Sequence, residues 1–545
     1  MPRKKVEPPT SLRIGLFDPG MTPLHRAGLG GLAATLQRLV EKDFPGSWVV
    51  EEDHVTLEWE KDKTETFFEQ LLLKGLEIQK PESVGVIDFP ALRDRLGASA
   101  SYEARLVHQE ALMGTLLQHG KSRSLDSAKF LVLDPDNQKQ QKSYRPMLDF
   151  NHRQQASAIV KALKPSGSST VSIVGWAYPG AVEKHPGKSW SRMETSAGEF
   201  LALCFAPVGT LSFKVRSRLS GQRHAYALVV PVVSDLKRFG RFRSQFARFD
   251  ASQLHVSSPS DAGLMIASAM HMGLAQARHR HHQFLQVMTF GTQPWASQQK
   301  TRTKVMYLTI PEERTLALYR FVVSLIEFQP QLRKGKNNST FYSISPVREA
   351  ITEALAEGKP WYAGLVDAYI AADSSLRNVF HYMNERRGLH AMINHPESLE
   401  QQERLFIEVC HNAMRQIYGS VAGRTKEANT DFGRKAEVEM TKIRSSLLRA
   451  KNEDTLRDAL VEFWAKASRE KVRSNSALRK KIVTTNEEGE EVERSGWEVL
   501  LPMLDNKNWR KARQLALLSL LSYSGVEQPD EDDTQDTAES DDSSD

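Results

Sequence analysis

At 545 residues the chain has the length of three or four domains of ordinary size, or of a large α+β core that absorbs much of it. Apolar residues make up 40% and charged residues 26%, and only two cysteines are present, so a wholly disordered, collagen-like or disulfide-built chain is excluded. The net charge of +6 conceals an acidic tail: Glu527 to Asp545 holds ten acids and no base, which leaves 73 basic against 57 acidic residues in 1–526, a body of +16. Such a body suits a polyanionic partner, of which nucleic acid is the commonest, although charges scattered over a large soluble protein reach the same sum.

In chain order, Met1–Lys5 is basic but no apolar segment follows it, because Arg13 and Gly15 interrupt Leu12–Phe17. No signal peptide is expected there, and no apolar run reaches the roughly 18 residues that cross a bilayer, so no membrane partner and a cytoplasmic location are expected. In Phe17–Leu36, Pro19-Gly20 reads as a turn and Thr22-Pro23 as a helix start with Pro at the first helical position. Gly28, Gly30 and Gly31 fall inside that helix, where each costs about 1 kcal/mol relative to Ala. The sequence therefore predicts very close approach of another backbone, of protein or of nucleic acid.

Strands are expected at Val84–Phe89, Val171–Trp176, Glu199–Ala206, Tyr226–Val233, Leu285–Phe290 and Lys304–Ile310, which are short and rich in β-branched residues. Their irregular spacing argues for α+β rather than a doubly wound fold, and no internal repeat is visible. Cys204 and Cys410 lie in no C-x-x-C, which fits a reducing compartment.

Two segments imitate catalytic motifs. Pro186-Gly187-Lys188-Ser189 resembles the end of a phosphate-binding loop, but position 182 is Val where the opening Gly is required. Arg278-His279-Arg280-His281-His282 is rich in imidazole, yet its two Arg sit beside any cation and no acid lies within ten residues. A phosphate contact or an inert basic turn suits it better than a metal. Neither G-x-S-x-G nor H-E-x-x-H occurs, so no enzyme activity and no cofactor are expected.

Four runs carry the nucleic-acid signal. Lys237 to Phe249 holds Lys237, Arg238, Arg241, Arg243 and Arg248 among four Phe and no acid. Its Arg can pair with phosphate while its Phe stack on bases, or its Phe face can be core and its Arg face solvated; the two readings are compatible. Lys300, Arg302 and Lys304 alternate and would share one face of a strand. Arg333, Lys334 and Lys336 form a Gly-containing basic loop. Residues 466–481 hold Lys466, Arg469, Lys471, Arg473, Arg479, Lys480 and Lys481 against Glu470 alone. Contacts of this kind make binding steeply salt-dependent and largely indifferent to sequence.

From about residue 356 the signal is helical. Apolar stripes run through Leu405/Phe406, Val409/Cys410, Ala413/Met414 and Ile417/Tyr418; through Ala436, Met440, Ile443 and Leu447; and through Leu456, Leu460, Phe463/Trp464 and Ala467. Trp497, Leu500/Leu501 and Leu504, then Trp509, Ala512, Leu515/Ala516 and Leu518, complete them. A bundle of four or five helices over 400–526 would bury these faces, with Glu487–Glu493 as a loop between two of them. Glu527–Asp545 is expected to be disordered, serving mainly solubility.

The segment Phe17-Asp18-Pro19-Gly20-Met21-Thr22-Pro23-Leu24-His25-Arg26-Ala27-Gly28-Leu29-Gly30-Gly31-Leu32 resembles the opening of the DevT-like (myxan) group of large subunits of type I CRISPR effector complexes. Gly175-Trp176-Ala177-Tyr178-Pro179-Gly180-Ala181-Val182 followed by His185, and Leu203-Cys204-Phe205-Ala206-Pro207-Val208-Gly209 read as a strand end, are similar to segments of the same group. The resemblance implies a non-catalytic scaffold at the base of a Cascade-type complex, beside the 5′ handle of the guide RNA and the backbone and handle-binding subunits. It implies reading of a short motif in double-stranded target DNA, strand opening and stabilisation of the displaced single strand, with a recruited helicase-nuclease or transposition proteins supplying the chemistry. It also implies a helical C-terminal part that acts as a small subunit, sometimes made separately, for which Met392 and Met414 are candidate starts.

The expected organisation is an α+β body (1–355) with antiparallel sheet elements, a helical connector (356–399), a helical bundle (400–526) and the acidic tail (527–545). The alternatives are a metal-dependent nuclease using His279, His281 and His282, and a DNA-binding regulator that needs no guide.

Overall fold

In the computed structural model the described residues are 9–79, 85–118, 122–132, 141–163, 170–173, 194–217, 225–274, 284–295, 298–334, 340–371, 383–428, 431–465, 475–485, 491–505 and 507–523. The chain divides into two compact units, Met1–Gly364 and Leu365–Asp545. The first is α+β with small antiparallel sheets and the second is mainly helical.

The first unit opens with strand β1 (Ser11–Gly15), then helix α1 (Pro23–Leu36), β2 (Gly46–Val50) and β3 (His54–Trp59). The strands form an antiparallel sheet in the order β1-β3-β2, with Leu12 opposite Leu57 and Ile14 opposite Val55. Thr22 caps α1, its hydroxyl oxygen accepting from the His25 N–H at 3.4 Å, and Pro23 occupies the first position. Leu24, His25 and every residue from Ala27 to Leu36 are buried, so α1 is an interior helix rather than a surface one.

Helix α2 (Tyr102–Gly114) follows, and then α3 (Ala197–Cys204) and the short α4 (Ala206–Gly209), both packed on α1. Here the structure corrects the strand expected at Glu199–Ala206. Ser196 and Glu199 form a reciprocal cap, each side chain accepting from the other's backbone N–H, at 3.4 and 2.9 Å. The glycines of α1 serve this contact. A Cβ on Gly28 would fall 2.1 Å from the Ala202 carbonyl oxygen, one on Gly31 2.5 Å from that of Phe205, and one on Gly209 1.8 Å from that of Ala27. The backbone that approaches the helix is protein.

A five-stranded sheet carries the rest of the unit: β4 (Leu211–Val215), β5 (Tyr226–Val230), β6 (His255–Val256), β7 (Phe284–Trp295) and β8 (Gln298–Thr309), in the order β6-β4-β5-β7-β8. Its pairings are antiparallel except β4 with β6. Helix α5 (Leu236–Arg243) lies between β5 and β6; α6 (Pro259–Leu274) packs on β7, and α7 (Glu313–Ser324) and α8 (Pro346–Ala356) pack on α6. Three strands expected from sequence lie in this sheet; Val86–Ile87 and Thr170–Ser172 are shorter than expected, and 174–176 lie outside the described residues.

In the second unit α9 (Gln401–Glu427), α10 (Phe432–Arg449), α11 (Glu453–Ala465) and α12 (Trp509–Ser522) bury the anticipated stripes, among them Leu405, Phe406, Val409, Ile443, Leu447, Leu460, Phe463 and Leu515. Two features differ from expectation. An antiparallel hairpin, β9 (Lys481–Thr485) with β10 (Glu491–Ser495), interrupts the helices, so Glu491–Glu493 is strand, while 486–490 lie outside the described residues. Trp497 and Leu501 are exposed at 39% and 56%, because the helix there is one short turn, Gly496–Leu500, that ends at Leu501. The acidic tail lies outside the described residues.

Candidate nucleic-acid interface

Helix α5 begins at Asp235, whose carboxylate accepts from the Arg238 N–H at 2.8 Å. The i, i+3, i+4, i+7 spacing of Phe239, Phe242, Arg243 and Phe246 puts them on one stripe of α5 and the 3-10 turn that follows it, and all four are buried. The Phe239 ring is packed so near α1 that a Cβ on Gly30 would touch it at 2.7 Å. Those rings are core and are not available to stack on bases.

The bases of the segment separate accordingly. Arg241 and Arg248 are exposed and carry no ion pair among the described residues. Lys237 pairs with Glu51 at 2.7 Å, and Arg238 with Asp235 at 3.1 Å. Arg243 corrects the sequence reading: it is 1% exposed, and its guanidinium donates to the carbonyls of Val208 at 2.7 Å and Thr210 at 3.2 Å. It falls on the buried stripe and caps the end of α4. Burial without a carboxylate partner pushes its pKa down to about 9.

The other candidates lie on separate elements. Lys300, Arg302 and Lys304 occupy alternate positions of β8, opposite Gln293, Gly291 and Thr289. Arg333 is exposed and Lys334 follows it, both in a strand, Gln331–Lys334, of a hairpin with Thr340–Ser343 rather than in a loop; Lys336 lies outside the described residues. In the second unit Arg479, Lys480 and Lys481 are exposed where a short helix meets β9. Lys480 stands 4.0 Å from Glu408 and Lys481 3.0 Å from Glu493. Arg469, Lys471 and Arg473 lie outside the described residues, as do His279, His281, His282, the Pro186–Ser189 segment and Gly175–His185.

A cleft that no local motif announces opens beside α2. It encloses about 410 Å³ and is lined by Glu110, Arg123, Arg145, Lys214, Tyr226 and Phe290, among others. Lys214 is bound to Glu110 at 2.5 Å, and Arg123 donates to the Leu117 carbonyl. Burial, and next the neighbouring Arg145, depress the Arg123 pKa. Burial, and next the Glu110 carboxylate, raise that of Tyr226. The cleft is assembled from α2, β4, β5, β7 and a strand pair, Arg123–Leu125 with Met147–Phe150, so only the folded chain brings its cations together.

Among the described residues no cluster of His, Cys, Asp or Glu could hold a metal ion. Both cysteines are buried, and burial raises their thiols, Cys410 to about 12, so neither is a nucleophile at neutral pH. Among the described residues no helix is long and apolar enough to cross a membrane.

Comparison with known proteins adds to this geometry. Residues 13–204 match the family model of the DevT N-terminal domain, and residues 394–545 that of the DevT C-terminal domain. The chain is similar to the CRISPR-associated protein Cas8a1/Csx13 of Myxococcus xanthus (strain DK1622), with 29% identity over 546 residues that cover 95% of this chain and 89% of the relative.

Proposed function

We propose, from the premise that this chain belongs to the DevT-like (myxan) group of type I CRISPR large subunits, that it grips nucleic-acid backbone at positions selected by a guide RNA. It reads a short flanking motif in duplex DNA, contacts the guide 5′ handle and steadies the opened strands, while recruited proteins cut or integrate. Delegating sequence to RNA–DNA pairing leaves the protein to hold shape and charge. The observation that carries this reading is the α5 segment: its aromatic face is locked in the core, and Arg241 and Arg248 stand exposed on that rigid base. A charge so mounted can meet a phosphate with little ordering cost.

The test is the double variant Arg241→Glu/Arg248→Glu in the assembled complex. Arg243 is left intact, since removing it would strip two buried carbonyls of their donor. Losing two phosphate contacts should make the salt dependence of duplex binding shallower by about two in log–log slope and weaken affinity about tenfold or more at physiological salt. An unchanged slope in a folded complex would remove these residues from the interface. Independently, co-purification with neighbouring gene products should yield a short bound RNA.

The helical unit is proposed to act also as a small subunit. Met392 closes the helix Met383–Asn394 and precedes all of α9, whereas a start at Met414 would delete Leu405, Phe406, Val409 and Cys410 from the core. If translation starts internally, the shorter product should begin at Met392 and vanish in Met392→Leu. A single full-length band on a C-terminal immunoblot would argue against it.

A further inference from the structure

We propose that the chain's own acidic run, Asp530-Glu531-Asp532-Asp533, docks in the groove between α9 and α10 and shields its cations from other polyanions. The docking stands on the helical unit alone; its consequence for strand binding rests on the nucleic-acid reading above. The groove holds about 500 Å³, with Arg424, Arg434 and Lys435 lining it beside Val421 and Val438. Its two acids are engaged. The Asp431 carboxylate accepts from the Gly433 N–H at 2.8 Å, capping α10, and Glu439 pairs with Lys442 at 2.9 Å. The three cations are exposed, and none has an ion pair among the described residues. Arg424 donates to the Ser420 carbonyl of its own helix at 3.4 Å, a bond that leaves its charge without a carboxylate opposite it. Three such charges on one groove suit a short stretch of consecutive acids.

The fold delivers the tail to this place. Helix α12 ends at Ser522, and Tyr523, where the described residues end, stacks on Tyr418 of α9 with ring centroids 5.3 Å apart. Tyr418 in turn meets Phe432, the first residue of α10, at 6.0 Å. It thus stands between the end of α12 and the groove. Val421 and Arg424 follow it on α9, about 4.5 and 9 Å further along the axis, and Arg434 lies just beyond Phe432. Asp530 comes seven residues after Tyr523, and seven extended residues reach about 25 Å, so the run spans the interval with slack. Tethering over such a length sets a local concentration in the millimolar range, so even a weak contact is filled. The +16 of the body would draw the acids anywhere; only here do the point of exit and three unpaired cations coincide. While the run is seated, a strand must release it to use Arg424, Arg434 and Lys435. Casual polyanions are then turned away, and a strand held at other points as well displaces the tail.

The experiment uses the full-length chain. Zero-length carbodiimide crosslinking should join Lys435 to the peptide carrying Asp530–Asp533 within one chain, and the yield should fall steeply near ~1 M salt, where screening shortens to about 3 Å. Neutralising the run by Asp530→Asn, Glu531→Gln, Asp532→Asn and Asp533→Asn should tighten binding of a mixed-sequence single-stranded DNA octamer about fivefold or more at low salt. In an Arg434→Glu/Lys435→Glu background the same neutralisation should change affinity by less than about twofold, because the run no longer has a seat to leave. An equal gain in both backgrounds would mean that the tail repels strands by its charge alone, and would overturn the docking. So would a folded chain that gives no such crosslink, crosslinks scattered over the lysines of the body, or crosslinks that join a labelled chain to an unlabelled one. If the crosslink forms and neutralising the run leaves octamer affinity unchanged, the shielding falls. If the octamer does not bind any of these chains, the nucleic-acid reading loses its support, while the crosslink still decides the docking.

Discussion

Asp261→Ala should destabilise the Met1–Gly364 unit by about 3–5 kcal/mol in denaturant unfolding, the range for breaking one side of a buried ion pair. Asp261 and Arg348 are 0% and 1% exposed and meet at 2.9 Å. The carboxylate also accepts from Tyr319 at 2.9 Å and from the Ser257 backbone and hydroxyl at 2.8 and 2.9 Å. Burial, and then Asp261 itself, hold the Tyr319 phenol well above its usual pKa, so it remains a donor at neutral pH. One carboxylate thus ties α6, α7 and α8 together, and its removal leaves a buried guanidinium whose charge has no carboxylate opposite it, held by the 3.4 Å bond to the Phe328 carbonyl and by the Tyr319 hydroxyl. Arg348→Leu added to Asp261→Leu should recover part of the loss, because no buried charge then remains unpaired. A loss below about 1 kcal/mol in Asp261→Ala would mean that water reaches the pair in solution.

Gly28→Ala should lower stability by about 1–3 kcal/mol or more, although the same change in an open helix raises it. The new methyl group would lie 2.1 Å from the Ala202 carbonyl oxygen, a backbone atom that cannot swing away. Gly419, exposed in α9 with nothing within 4 Å of its missing Cβ, supplies the opposite sign: Gly419→Ala should gain about 0.5–1 kcal/mol. Comparing the two by thermal unfolding tests whether helix propensity or close packing governs each glycine. A stabilised Gly28→Ala protein would show that α1 and α3 can separate at little cost.

The start of α1 and the role of its glycines were legible because both signals are local: Thr22 and Pro23 mark an N-terminus, and glycine inside an apolar helix demands a close neighbour. Glu199–Ala206 reads as a strand because Phe200–Ala206 within it is apolar on every side. A run buried all round carries no period to separate helix from strand, and the signal that decides, Ser196 with Glu199 three residues on, lies at its edge. Ile482–Thr485 and Glu491–Arg494 have the β-branched, alternating character of a hairpin, yet sit between strong helical stripes that dominated the reading. Arg243 shows a different limit. Its type and its basic neighbours place it on a surface, and only the packing of α5 on α1, which also carries α4, brings it inside against the Val208 carbonyl. The cleft was hidden for the same reason, since Glu110, Arg123, Arg145, Lys214 and Tyr226 come from distant segments with no shared pattern.

The seam where α1 meets α3 and α4 has a consequence for building hybrids of this protein with its relatives. Because the mates touch main chain to main chain, neither can be grafted alone; a transplanted α1 would meet carbonyls set for another spacing. Chimeras should keep Phe17 through Gly209 as a single cassette and place their junctions outside it.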